Sequence, residues 1–263
     1  MSDEPGPALV DLTETKARAA QVAAEWGVEP GPMFPMAHVS YAAPVGGDAV
    51  LKVAWEGDDE SLNDADALEL WGDEIAVRVL RRDDVRRALL LERARPGSDV
   101  SDLPDEEAMP LAAALGSRLW RRVGAPFRPV NPHVRRWLDR AGRDGDPAFA
   151  ILGSLARDLL AGLGQGDWLV HGDFHHHNVL RHEGRHVVID PKPYLSDREY
   201  DVYPWLHNPM TYELADVDRT ERRIAAFADA GLDDARIRAW AVIRGAYLIG
   251  DEQPAQVLRA LVP

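Results

Sequence analysis

The stretch His171-Gly172-Asp173-Phe174-His175-His176-His177-Asn178, followed after Val187-Val188-Ile189 by Asp190, decides how the rest of the chain is read. An aspartate, an asparagine five residues on and a second aspartate closing a short apolar run are the parts of a phosphoryl-transfer site: one base and two magnesium ligands. That reaction asks a protein for positioning and charge neutralisation rather than covalent help, so these few groups suffice.

Strand-like runs at Trp168–Val170 and Val179–Arg181 flank the segment and make it a tight loop, and the run His186–Ile189 delivers Asp190 to the same place. Asp173 can accept the proton of an attacking hydroxyl, while Asn178 and Asp190 are hard oxygen donors suited to Mg²⁺ on nucleotide phosphates. The spacing agrees with the catalytic-loop pattern H-x-D-L-x-x-x-N, with Gly172 in the second place and Phe174 in the fourth. Ala49-Val50-Leu51-Lys52-Val53 adds a lysine within a strand-like run, the setting of a lysine that grips the α/β-phosphates. A lone lysine in a hairpin is ordinarily a snorkelling surface residue; paired with the distal loop, Lys52 reads as part of a nucleotide site.

Outward from the cluster, Thr13 to Gly27 is rich in alanine and predicts a helix stopped by Gly27. The runs His38–Val45 and Ala49–Trp55, around Gly46-Gly47-Asp48, predict a β-hairpin. Ser61–Trp71 has helical spacing, Ile75–Leu80 and Arg87–Leu91 read as strands, and Arg95-Pro96-Gly97-Ser98 breaks the pattern. Helices are then expected at Asp105–Val123, Pro132–Ala141, Pro147–Leu163, Asp218–Ala230 and Asp233–Leu261. A small sheet-and-helix part followed by a larger helical part predicts an α+β fold of two lobes joined near Glu92–Gly97: residues 1–93 for nucleotide, residues 94–263 for catalysis and acceptor.

With 263 residues, 46% of them hydrophobic, the chain can bury one large or two small cores. The absence of cysteine excludes disulfides and thiolate metal sites. Met1 to Val10 carries acids and prolines where a signal peptide carries basic and then apolar residues, and no run approaches the roughly 20 apolar residues of a membrane span; a soluble, cytoplasmic protein is expected. A net charge of −14 argues against a nucleic-acid partner and favours a cationic one.

At this point the sequence resembles a known family. HGDFHHHNVL, then VVIDPKP with Pro191-Lys192-Pro193 after the magnesium aspartate, then DREYDVYPWLHNP, and ALLLERARPG at Ala88–Gly97 are similar to the aminoglycoside phosphotransferases, in the branch of the streptomycin 6-kinases and hydroxyurea phosphotransferases. The resemblance runs from about Trp26 to Asn208 and implies a protein-kinase-like two-lobed fold with ATP and Mg²⁺ as cofactors. It implies Asp173 as catalytic base, Asn178 and Asp190 as Mg²⁺ ligands, Lys52 on the phosphates, and the backbone of Glu92 and Ala94 on adenine. Asp201 matches an aspartate that braces the catalytic loop, and His171 is read as ordering it. Two departures stand out: the residue aligned to pair with Lys52 is Asp64 rather than glutamate, and the phosphate-covering loop, about Phe34–Val39, lacks glycine.

Lys192, Asp197, Trp205 and His207 are candidate acceptor contacts, and the acids after Asp190 suit a cationic, aminoglycoside-like acceptor. Three other readings stay open on the residues alone: a kinase of the same fold acting on a sugar or amino-alcohol metabolite, a nucleotide-binding pseudokinase-like protein, and a metal-dependent hydrolase built on the histidines.

Overall fold

A computed structural model describes residues 10–35, 39–209 and 216–262. In chain order its elements are α1 (Thr13–Trp26), β1 (Ser40–Val45), β2 (Ala49–Ala54), α2 (Asp64–Trp71), β3 (Val79–Asp83), β4 (Ala88–Glu92), β5 (Pro96–Asp99), α3 (Asp105–Leu119), β6 (Arg121–Arg122), β7 (Arg128–Pro129), α4 (Asn131–Asp144) and α5 (Pro147–Leu163). There follow β8 (Trp168–Val170), β9 (Val179–His182), β10 (Arg185–Val188), β11 (Tyr194–Ser196), α6 (Tyr203–His207), α7 (Val217–Asp229), α8 (Asp234–Leu248) and α9 (Glu252–Ala260). Among the described residues no helix is long and apolar enough to cross a membrane. The chain divides into two compact units, Met1–Ser98 with Leu180–Ile189, and Asp99–Val179 with Asp190–Pro263.

In the first unit an antiparallel sheet of order β1-β2-β4-β3 carries α1 on one face. The alanines of α1 make a thin contact surface: Ala19, Val22 and Ala23 pack on Leu51, Val53 and Ala88. The helix ends at Gly27, whose left-handed backbone lets Val28 N–H reach Ala23 O at 3.0 Å. Strand alternation puts Leu51 and Val53 against α1 and therefore turns Lys52 to the opposite face. The hairpin β9–β10 belongs to this unit although it lies far along the chain, held by Val188 N–H to Ile75 O at 2.8 Å and Glu183 N–H to Arg95 O at 2.7 Å.

The second unit is mainly helical, with α5 and α8 packed side by side. Asp146 caps α5 by accepting from Ala148 N–H at 2.8 Å and Phe149 N–H at 3.2 Å, with Pro147 opening the helix. A short sheet of order β6-β8-β11-β7 holds the strand that leads into His171 and the strand that follows Pro193. Both ends of the functional segment are thereby fixed to one sheet: β8 and β11 pair antiparallel, Tyr194 against Val170.

Several boundaries differ from the sequence expectation. The long helix expected over Asp233–Leu261 is interrupted between α8 and α9, where Gly250 takes φ +75°. The expected break at Arg95–Ser98 contains β5, which begins on Pro96, a place a strand tolerates proline. Of the expected phosphate-covering loop, residues 36–38 lie outside the described residues; Phe34 N–H donates to Ala42 O at 2.8 Å.

Candidate active site

The catalytic loop is built on a buried carboxylate that does no chemistry. Asp201 is fully buried and accepts from His171 N–H (Oδ2, 2.8 Å), Gly172 N–H (Oδ1, 2.8 Å) and Trp120 Nε1–H (Oδ2, 3.0 Å). Burial pushes its carboxyl above the ordinary aspartate value, opposed by these donors and the nearby Arg244 guanidinium. Arg244, also buried, donates to Gly172 O at 3.0 Å and Tyr200 O at 3.1 Å from its place over the Tyr200 ring. Below the loop, Phe174 is wholly buried edge-on to Trp205, and His176 lies 4.3 Å from the same indole. The loop is thus fixed from behind by hydrogen bonds and from beneath by aromatic packing.

On this base Asp173 is presented with its side chain 28% exposed, within reach of a substrate. Burial works against its ionisation, but the Lys192 ammonium at 3.3 Å from Oδ2 and His175, 3.6 Å from Oδ1, outweigh it and hold the carboxyl well below the usual range. His175 Nδ1 accepts the His177 N–H at 3.2 Å, and its Nε2 lies 3.6 Å from Asp173 Oδ1 and 3.2 Å from Asn178 Nδ2. Asn178 Nδ2 donates to Asp173 O at 2.9 Å, which locks the turn and leaves the amide Oδ1 as an acceptor. Asp190 adopts φ +53°, a left-handed conformation that aspartate tolerates better than most residues. Beyond it, Lys192 N–H donates to His171 O at 2.7 Å. Gly172, at φ +84°, is obligatory there, because a Cβ would collide with Lys192 O.

In the first unit Lys52 is 8% exposed and its Nζ donates to Asp64 Oδ2 at 2.9 Å. Asp64 opens α2 and its other oxygen accepts from Ala65 N–H at 2.8 Å, so the shorter side chain reaches the lysine from the helix's first residue. On β4, Glu92 N–H is taken by Arg78 O at 2.8 Å and Arg93 N–H by Asp48 O at 2.8 Å; among the described residues none accepts Ala94 N–H. The Glu92 side chain pairs with Arg78 at 2.8 Å and lies 3.6 Å from His182.

The candidate acceptor contacts fare differently. Trp205 is fully buried between Phe174 and His176, so it supports the loop from within and offers no surface to an acceptor, contrary to the sequence expectation. Asp197 is likewise engaged inside the unit, its Oδ2 accepting from Trp240 Nε1–H at 3.1 Å and pairing with Arg236 at 2.8 Å. The His207 ring lies tilted against Tyr203, 4.6 Å between ring centres, and under the electrostatic influence of Asp173; burial, seconded by Arg244, pushes its pKa down to about 4 and keeps it neutral. The histidines do not assemble a metal centre: among the described residues no three histidine or carboxylate side chains converge on one. The side-chain oxygens of Asn178 and Asp190 are hard donors, the chemical type that Mg²⁺ takes.

The sequence reading missed Arg244 and the anchor at the start of α3. Asp105 takes both Arg219 (2.8 Å) and Arg223 (2.8 Å); burial opposes its ionisation, yet the two guanidinium groups hold its carboxyl well below the ordinary range. Arg223 also donates to Trp205 O, Leu206 O and Asn208 O, closing the end of α6. A signal existed in each case, an arginine at an apolar position of a helix, but not its partner.

The chain has counterparts among known proteins. Residues 25–248 match the family described as aminoglycoside/hydroxyurea antibiotic resistance kinase. A hydroxyurea phosphotransferase of Kitasatospora aureofaciens is 30% identical over 86% of this chain and 70% of its own length. A streptomycin 3''-kinase of Klebsiella pneumoniae is 32% identical over 81% of this chain and 86% of its own. Among solved structures, aminoglycoside phosphotransferase APH(4)-Ia with ADP and hygromycin B superposes with TM-score 0.60 at 16% identity, covering 92% of this chain and 95% of that one. The choline kinase LicA of Streptococcus pneumoniae does so with TM-score 0.63 at 12% identity, covering 93% and 90%. These likenesses establish the protein-kinase-like α+β fold, and with the sequence match they show that the chain belongs to the aminoglycoside/hydroxyurea antibiotic resistance kinase family.

Proposed function

We propose that this protein is a small-molecule kinase that transfers the γ-phosphoryl group of ATP to a hydroxyl of an aminoglycoside-like (streptomycin-type) or hydroxyurea-like acceptor. The observation that carries the reading is Asp173: a reachable carboxylate kept ionised on a loop held by the His171 and Gly172 N–H groups on Asp201 and by the Asn178 amide on the Asp173 carbonyl. Asp173 orients the acceptor hydroxyl and takes its proton as the new O–P bond forms. Asn178 and Asp190 would hold Mg²⁺, which when bound neutralises phosphate charge. Lys52, kept extended by Asp64, would bind the α/β-phosphates, and the backbones of Glu92 and Ala94 would take the adenine edge. The acceptor class rests on the relatives' names, streptomycin kinases and a hydroxyurea phosphotransferase, and on a net charge of −14 that favours a cation.

The test is phosphorylated product, read by mass spectrometry after incubation with ATP, Mg²⁺ and a panel of streptomycin, other aminoglycosides, hydroxyurea and sugars. Asp173→Ala should lower turnover by about 10²–10⁴ while Mg·ATP still raises the melting temperature; full activity in that variant sinks the assignment. Asp190→Ala should instead weaken Mg·ATP binding itself, by about tenfold or more, and unchanged nucleotide affinity would remove Asp190 from the role given to it.

A further inference from the structure

Lys192 is fastened to the catalytic loop by its backbone before its side chain touches anything. Its N–H donates to His171 O at 2.7 Å, and its carbonyl packs over Gly172 so closely that no side chain fits there. Pro191 and Pro193, both buried, fix φ on either side, and proline at 193 keeps Lys192 itself extended. Asp190 to Pro193 is therefore a short, stiff arm laid along the loop. Its first residue is the candidate magnesium ligand, and its third delivers an ammonium group to Asp173 Oδ2 at 3.3 Å. A residue placed to select an acceptor would have no reason to be aimed at the reacting carboxylate, and a lysine meant only to neutralise that carboxylate would need no arm and no exposure; the Lys192 side chain is 23% exposed.

We propose that Lys192 is a catalytic residue of the transfer step, holding Asp173 before substrate binds and stabilising negative charge on the phosphoryl group while it passes between the two oxygens. This rests on the phosphotransferase reading above. In the step, the acceptor oxygen bonds to Pγ, the bond from Pγ to the β–γ bridging oxygen breaks with its electron pair leaving on ADP, and the acceptor proton goes to Asp173. Lys192 exchanges no proton. A cation beside the base lowers its basicity, as the depressed Asp173 carboxyl reflects, which would be a handicap if early proton removal drove the reaction. In a loose, metaphosphate-like transition state the proton leaves late and charge spreads over the equatorial oxygens, where an ammonium group is well spent.

ADP affinity in the presence of Mg²⁺, with and without aluminium fluoride as a planar mimic of the phosphoryl group in transit, separates this role from a structural one. The proteins compared are the wild type, Lys192→Met, Lys192→Gln in case the first does not fold, and Lys192→Arg. ADP alone should bind all folded forms within about threefold, while aluminium fluoride should tighten ADP by about tenfold or more in the wild type, not in the neutral variants, and partly in Lys192→Arg. Equal tightening in a folded neutral variant overturns the role of Lys192 and leaves the phosphotransferase reading standing. A wild type that neither binds ADP nor responds to aluminium fluoride overturns both. Where turnover is measured, the neutral variants should lose about 10²–10³ in kcat with acceptor KM within about threefold; a raised KM with kcat intact would make Lys192 an acceptor contact and overturn the proposal.

Discussion

Asp201 touches no reacting atom, yet the catalytic loop's conformation depends on it more directly than on Asp173. Three N–H donors converge on its two oxygens, two of them backbone groups at His171 and Gly172 that have no water to turn to. Replacing one oxygen by an NH₂ group sets a donor against a donor in a buried place, which costs about 1–3 kcal/mol. Asp201→Asn should therefore lower unfolding free energy in urea by about 2 kcal/mol and reduce kcat more than acceptor KM, because the loop that presents Asp173 loosens. A variant of wild-type stability and turnover would show that the loop is held by its aromatic underside alone, through Phe174 and Trp205.

At the scale of elements, what the sequence reveals is what repeats or is locally spaced. The helix α1, the hairpin of β1 and β2, and α5 are legible because their periodicity and stop residues lie within one window: alanines before Gly27, a Gly-Gly turn, Asp146-Pro147 at a helix start. The loop from His171 to Asn178 is legible for the same reason, since its polar residues are fixed by sequence spacing alone. By contrast β6 and β7 are two residues each, Arg121–Arg122 and Arg128–Pro129, and carry no period to detect; only β8 and β11 make them strands. The break between α8 and α9 turns on a single left-handed glycine within an otherwise helical pattern. The pairing of Lys192 with Asp173, the three donors on Asp201 and the grip of Arg244 on Gly172 join residues 19, 29 and 72 apart at the nearest, and no local rule reaches that far. Trp205 shows the converse error: an aromatic beside a functional segment reads as a lining residue until packing shows it inside the core.

For the molecule as a whole, a partly buried histidine at the end of α6 makes stability sensitive to acid. His207 is kept neutral to a pKa of about 4 first by burial and then by Arg244 and His175, against the opposing pull of the Tyr203 carbonyl and Asp173. In the unfolded chain it titrates near 6.5. Between those values the unfolded state binds the extra proton, so the sign is fixed: the contribution is complete above about pH 6.5 and is lost as pH falls toward about 4, by at most about 3 kcal/mol. Urea unfolding between pH 7.5 and 4.5 should therefore show falling stability, and His207→Asn, which retains a polar side chain without a titrating ring, should flatten the slope in that window by up to about 1.4 kcal/mol per pH unit. Asp105, whose carboxyl two arginines hold low, loses its own contribution only at more acid pH, so its effect separates from that of His207 on the same curve. An unchanged slope in His207→Asn would mean that the ring is hydrated and titrates normally in the folded protein, and that the neutral, packed environment beside Asp173 is not what sets the acid limit of this enzyme.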